Sequence, residues 1–231
     1  MNSKRVMMVL TIIVAVVLAT TLAVAQAPAG GQGGGAGRGG GAPGGAPGAP
    51  GGGAQGGRGG GGGRGPAGPS LTVTSAAWPD GGVVPEVNAG RGGNMSPAFE
   101  FSWVQAGAAA MPPANLVSYA VVLHDIENSS NRGTTDTLHW VLWDIPGTNK
   151  GLAGALPMGD LPDGTRQGTG IRGGAYFGPG AGPGPYHHYV FEFYALDTKL
   201  NLPVAATRAE IMAAMEGHVV GKAAYVGRYH Q

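Results

Sequence analysis

Between Leu71 and Tyr229, hydrophobic and polar positions alternate with a period of two over much of the chain, which predicts a succession of strands. Leu71-Thr-Val-Thr-Ser75 reads as a first strand, with Trp78-Pro-Asp-Gly-Gly82 as the turn after it. Val83 to Val87 reads as a short extended piece before a second turn, Gly90-Arg-Gly-Gly93. Phe99-Glu-Phe-Ser-Trp103 places its aromatic residues at alternate positions, the pattern of a strand with one buried face. Two runs break the alternation. Leu116 to Ile126 and Leu138 to Ile145 are too apolar for a solvated sheet face and should be central strands. Tyr189 to Leu196 and Tyr225 to Tyr229 complete the set.

Helical spacing is convincing in a single stretch. Thr207 is a suitable N-cap, and Arg208 to Gly217 carries Ile211, Met212 and Met215 as an apolar stripe. One helix after many strands predicts a mainly β, mainly antiparallel domain with the helix near an edge or end. Gly147 to Gly174, rich in Gly, Pro, Asp and Thr, reads as a long connection that serves as a lid or binding loop, or else hides short elements.

Composition separates this domain from what precedes it. Lys4 and Arg5, the apolar run Val6 to Ala25 and the cleavage pattern Ala23-Val24-Ala25 predict a secretory signal peptide over residues 1–25. An uncleaved anchor competes, because about 20 apolar residues can span a bilayer. Residues 26–69 are nearly all Gly, Ala, Pro, Gln and Arg. No large apolar side chain there offsets an ordering cost of about 1–2 kcal/mol per residue, which predicts a disordered tether. Residues 70–231 remain for one globular core.

The chain has no cysteine, which excludes disulfides, thiolate metal sites, a thiol nucleophile and lipid attachment through cysteine. Its net charge is +1. Loss of Lys4 and Arg5 takes the 14 basic residues to 12 against 13 acidic, and the resulting −1 is no nucleic-acid footprint. The expected location is the periplasm or the exterior, with no stable membrane insertion once the signal is removed.

Candidate chemistry gathers at strand ends. Gly178 to Asp197, GPGAGPGPYHHYVFEFYALD, runs a Gly/Pro loop directly into two histidines, a tyrosine and an alternating strand. Glycine lets backbone approach a ligand, proline restrains the loop, and imidazole and phenol supply adjustable hydrogen bonds. The same residues also fit a hairpin loop with surface histidines. Alternation sends His187 and His188 to opposite sides of their sheet, His187 beside Tyr189. Asp125 likewise shares a face with Tyr119, Val121 and Leu123, while His124 points away. His139 opens its own strand, so Asp125, His139 and His187 occupy three strand tips that can converge at one rim of a sandwich. Imidazolium and loop N–H groups would there donate to a phosphate or carboxylate. Asp125 would orient a histidine or accept from an ammonium head group.

The ordered set of Asp80-Gly-Gly82 with Val84-Pro85, Gly93-Asn94-Met95-Ser96-Pro97, an acidic strand end, His139-Trp140, the Gly-Pro loop with His187-x-Tyr189, and Tyr194-Ala-Leu-Asp197 resembles the phosphatidylethanolamine-binding protein family. The likeness is to its bacterial, Raf kinase inhibitor-like branch and runs from Leu71 to Tyr229. It implies an antiparallel β-sandwich with a C-terminal helix and few short helices, and a small pocket for anionic groups such as phosphoryl heads. The family's Asp-Pro-Asp-Ala-Pro motif is matched by Asp125-Ile126-Glu127-Asn128-Ser129, with Glu127 a longer substitute and both prolines gone. Its His-Arg-Tyr motif is His187-His188-Tyr189, and the Gly-Pro loop is more Gly-rich here and one residue longer.

The resemblance therefore implies Asp125, Glu127, His139, Gly182, His187 and Tyr189 as ligand-binding residues, with no catalytic residue, metal or cofactor. The expected function is non-enzymatic binding of a phosphate-like or other small anion, such as a phospholipid head group. Two alternatives stand beside it. One is inhibition of a secreted hydrolase or kinase through the sandwich surface. The other is a hydrolase using a metal or the Asp/His cluster, although the chain has no Gly-x-Ser-x-Gly elbow and no His-Glu-x-x-His.

Overall fold

The computed structural model describes residues 68–128 and 132–231. The signal-peptide and tether readings lie outside the described residues, apart from Gly68 and Pro69. In chain order the strands are β1 (Ser70–Thr74), β2 (Gly82–Val83), β3 (Phe99–Gln105), β4 (Ala108–Ala109), β5 (Ser118–Asp125), β6 (Thr137–Pro146), β7 (Gly151–Leu152), β8 (Arg166–Gln167), β9 (His187–Leu196) and β10 (Val219–Tyr229). A smaller sheet pairs β1, β3 and β4, with β7 also on β3. The larger runs β2-β10-β9-β5-β6-β8. Pairing is antiparallel throughout except for β2 beside β10.

The two sheets bury an aromatic core between them. Phe99, Phe101 and Trp103, the alternating aromatics of β3, face Tyr119, Val121 and Leu123 of β5 and Phe191 and Phe193 of β9. The Phe99 ring lies 5.0 Å from both Phe191 and Phe193, in the tilted and edge-on arrangements that ring quadrupoles favour.

Every residue of β5 is buried, so its outer face also needs a cover. The single α-helix among the described residues, α1 (Arg208–Met215), supplies it. Ile211 and Met215 pack on Ala120 and Val122 of β5, Val141 and Trp143 of β6, and Tyr194 and Leu196 of β9. The helix thus lies over the central strands rather than at an edge or end, because runs that are apolar on both faces demand cover on both. Thr207 caps it in a reciprocal capping box with Glu210. It ends at Met215, short of Gly217, because Glu216 leaves the helical conformation and Gly217 turns left-handed at φ +81°.

One other segment differs from expectation, and a second holds the short elements its reading left open. Val83 to Val87 divides into β2 and a 3-10 turn, Glu86–Asn88. Gly147 to Gly174 contains β7 and β8, each too short to show a period in sequence.

Candidate functional site

Three strand ends meet at one end of the larger sheet. Asp125, the last residue of β5, pairs in register with Tyr189 of β9 and with Thr137 of β6. His187 opens β9 and faces inward with Tyr189, Phe191 and Phe193, while His188 goes to the other side as alternation requires.

His139 reaches the site by a different route. Leu123 pairs with Trp140 and His124 with Leu138, which leaves His139 as the extra residue of a β-bulge. Strict alternation would put His139 on the outer face with Val141 and Trp143. The bulge re-aims it, so that His139 and Trp140 both look inward.

Asp125, 2% exposed, is the centre of the hydrogen bonding. It accepts from His187 Nδ1 at 2.9 and 3.0 Å and from the backbone N–H of Glu127 and Asn128 at 3.1 Å each. One carboxylate therefore caps the turn after β5 and fixes the orientation of His187. This leaves Nε2 as the His187 nitrogen available to a ligand.

Tyr189, fully buried, accepts at its hydroxyl from the N–H groups of Gly180 and Ala181 at 3.1 and 3.0 Å. Burial, reinforced by the nearby Asp125, raises its pKa well above that of an ordinary phenol, so the hydroxyl keeps its proton. The amide of Gly178 is likewise committed, to Asn94 Oδ1 at 3.0 Å. The expected donation of loop N–H groups to a ligand is thus corrected for these three residues: their amides are spent on holding the loop against Tyr189 and Asn94.

His139, 3% exposed, donates from Nδ1 to the Phe177 carbonyl at 3.0 Å. Its ring stacks on Phe177 at 5.7 Å and meets Tyr189 edge-on at 5.2 Å. Burial lowers its pKa despite the opposing bond to Phe177 and the charge of Asp125. The ring is therefore neutral, and with Nδ1 donating, Nε2 is an acceptor.

These groups line a cavity of about 280 Å³ with Asn128, Ile171, Phe177, Gly180, Ala181 and Gly182. Five of the six expected ligand residues line it: Asp125, His139, Gly182, His187 and Tyr189. Glu127 does not. Its longer side chain turns back to His188, where Oε1 lies 2.6 Å from Nδ1 and Oε2 accepts from the backbone N–H at 2.7 Å. Phe177 and Ile171 also line the cavity: Phe177 carried no sequence signal for it, whereas Ile171 falls in the Gly147 to Gly174 connection read as a lid or binding loop. A larger cavity of about 400 Å³ near Met158 and Gln167 holds no comparable chemistry. The Gln167 amide there is taken up by Trp140, Pro157 and Gly159, and Asp160 is paired with Arg166.

The depressed pKa of His139 links stability to pH. A histidine that is harder to protonate folded than unfolded takes no stability away above its ordinary value of about 6.5. It lowers stability as pH falls through the window between that value and the depressed folded one. Urea unfolding at stepped pH from 8 to 5 should show a decline in the wild type that is shallower in His139→Phe. Equal slopes would remove His139 from the account.

Comparison with known proteins agrees with this architecture. Residues 74–230 match the family described as phosphatidylethanolamine-binding protein. A UPF0098 protein of Methanothermobacter thermautotrophicus is 34% identical over 163 residues, spanning 70% of this chain and 99% of its own. A candidate lipoprotein of Mycobacterium tuberculosis, LppC, is 31% identical over 170 residues, 71% of this chain and 74% of its own. Among solved structures, Escherichia coli YbcL, described as a member of the mammalian PEBP family, superposes with a TM-score of 0.58 at 25% identity, covering 70% of this chain and 99% of that one. A homologue from Chlamydia trachomatis gives 0.59 at 24% identity over 70% and 98%, a likeness of fold. On its sequence match and its sandwich alike, the chain belongs to the phosphatidylethanolamine-binding protein family.

Proposed function

We propose that this protein is a non-enzymatic binding protein for a phosphate-like anion, held at the cavity between β5, β6 and β9. The observation that carries the reading is the unequal pair of imidazoles. Asp125 accepts the Nδ1 proton of His187, and Phe177 accepts that of His139, so both Nε2 atoms are left for a ligand. The Nε2 atom of His187 is placed for a ligand oxygen, and neutral His139 accepts from an acidic hydroxyl or an ammonium group. A phosphate that keeps one proton, or a phosphate ester carrying an amine, satisfies both. Among the described residues the site has no hydroxyl or thiol activated by an adjacent base, since the Tyr189 hydroxyl is tied to Gly180 and Ala181 and its pKa is raised.

Isothermal titration with phosphoethanolamine should give saturable 1:1 binding that His139→Ala and His187→Ala each weaken by about tenfold or more, the worth of a charge-assisted hydrogen bond. Affinity unchanged in both variants would sink the assignment. Export to the periplasm or beyond is part of this proposal and rests on the N-terminal pattern of Lys4 to Ala25 and the similarity to a candidate lipoprotein. No cysteine is present for lipid attachment, and among the described residues no helix is long and apolar enough to cross a membrane.

One observation favours a second reading. Donor atoms of Asp125, Glu127 and His187 lie within 4.8 Å of one another, a spacing that a divalent transition metal with nitrogen and oxygen ligands could draw together. Zinc that binds with the phosphate analogue absent, and is lost in Glu127→Gln, would favour it. The anion reading places no such demand on Glu127, whose carboxylate faces His188.

A further inference from the structure

We infer that Arg172 is the charge that selects the ligand's phosphate, and that it makes the site one for phosphomonoesters rather than for the phosphodiester of an intact lipid. The inference rests on the anion-site reading above and sharpens its substrate class. Inside the cavity Asp125 is engaged by His187, His139 is neutral, and the lining contains no lysine or arginine. A doubly charged phosphate therefore has to find its balance at the rim.

The rim is built to provide it. Gly170 and Gly173 exchange backbone hydrogen bonds at 3.3 Å each, which closes a tight hairpin with Ile171 and Arg172 at its tip. Gly173, which closes it, takes the left-handed conformation at φ +63° that residues with side chains rarely adopt. Gly170 lies so close to the His139 carbonyl that a Cβ there would come within 2.5 Å of the oxygen. The hairpin is thus seated directly on the bulge that carries His139. From its tip, Ile171 lines the cavity and Arg172 lays its guanidinium over the Phe177 ring, 4.9 Å from the centroid.

Phe177 is shared, since it stacks on His139 and accepts from it through its carbonyl. Among the described residues no carboxylate pairs with Arg172, so its five N–H donors are not neutralised by a neighbour. A guanidinium over an aromatic ring keeps donors free for a partner beside the ring, and its planar fork suits two oxygens of one phosphate. A monoester offers two charges and three terminal oxygens to His187 and Arg172 together. A diester offers one charge and two.

The test uses the full chain and two probes, phosphoethanolamine as the monoester and glycerophosphoethanolamine as the diester. In the wild type the monoester should bind at least tenfold more tightly. Arg172→Gln, at an exposed tip, should leave the thermal unfolding midpoint in place, weaken the monoester about tenfold and the diester less than threefold, and so collapse the preference. Arg172→Lys, which keeps charge but loses the planar fork, should fall between. Monoester affinity within twofold of wild type in Arg172→Gln, or an equal preference for both probes in the wild type, overturns the role of Arg172 and leaves the cavity assignment standing. A wild type that binds neither probe overturns both.

Discussion

Asp125→Asn is expected to weaken phosphoethanolamine binding by about 100-fold and to lower stability by about 2–4 kcal/mol. The substitution is nearly isosteric, so both effects come from hydrogen bonding rather than packing. In the native site three donors converge on one buried carboxylate: His187 Nδ1 and the amides of Glu127 and Asn128. An asparagine can turn its oxygen to the two amides and hold the turn after β5. Its NH₂ group then confronts the Nδ1 proton of His187 at a distance that was 2.9 Å with the carboxylate. Two donors cannot share that position, so His187 either moves its proton to Nε2 or swings away. In both cases the imidazole loses the acceptor that fixes its orientation toward the cavity. Isothermal titration reads the first effect and urea unfolding the second. Asp125→Asn with wild-type affinity would mean that Asp125 is a turn cap and no more.

The parts of this site that were legible in the sequence follow from geometry a strand cannot avoid. Alternation alone separates His187 from His188 and joins Asp125 to Leu123 and Val121, and the structure has these faces. Apolar residues on both faces of β5 announced a central strand. The same pattern also implied that something must cover the outer face, and α1 does so. What alternation could not give is His139. On a strict period of two it shares the outer face with Trp143, and only the bulge, which no residue between Leu138 and Trp140 signals, turns it inward. Its place at a strand tip and the family resemblance both pointed His139 to the rim, whereas periodicity alone would have put it outside.

The loop chemistry was hidden for a different reason. Gly180 and Ala181 looked like ligand donors, yet a phenol reaching up from β9 is a nearer partner, and that contact depends on tertiary structure. Arg172 and Phe177 lay in or just beyond a stretch read as a long connection. The hairpin that carries Arg172 spans so few residues that no period develops, and the ring beneath its guanidinium is five positions away.

Gly178→Ala should be as damaging as the loss of Asp125, although Gly178 touches no ligand: about 3 kcal/mol of stability and most of the binding. A Cβ there would come within 2.0 Å of the Asn88 carbonyl oxygen, 2.9 Å of Tyr176 Oη and 3.0 Å of the Gly90 nitrogen. Two of these neighbours are backbone, so no rotamer change relieves them and the two loops must part. Overpacking of this kind costs about 1–3 kcal/mol by itself. Several hydrogen bonds cross the seam that would open: Tyr176 Oη to Asn88 O at 2.8 Å, Gly178 N to Asn94 Oδ1 at 3.0 Å, Asn94 Nδ2 to Tyr176 O at 3.2 Å and Gly90 N to Pro179 O at 2.7 Å. Each is worth about 0.5–1.5 kcal/mol where it stays unmade. The functional loss follows from the chain on either side. Phe177 immediately before Gly178 holds the His139 proton, and Gly180 and Ala181 just after it hold Tyr189. Displacing Gly178 therefore frees His139 and Tyr189 together. A change in fold stability that left phosphoethanolamine affinity intact would show that the loop and the cavity are independent. Joint loss in unfolding and titration experiments would show that the Gly/Pro loop serves as the wall that keeps His139 neutral and Tyr189 in place.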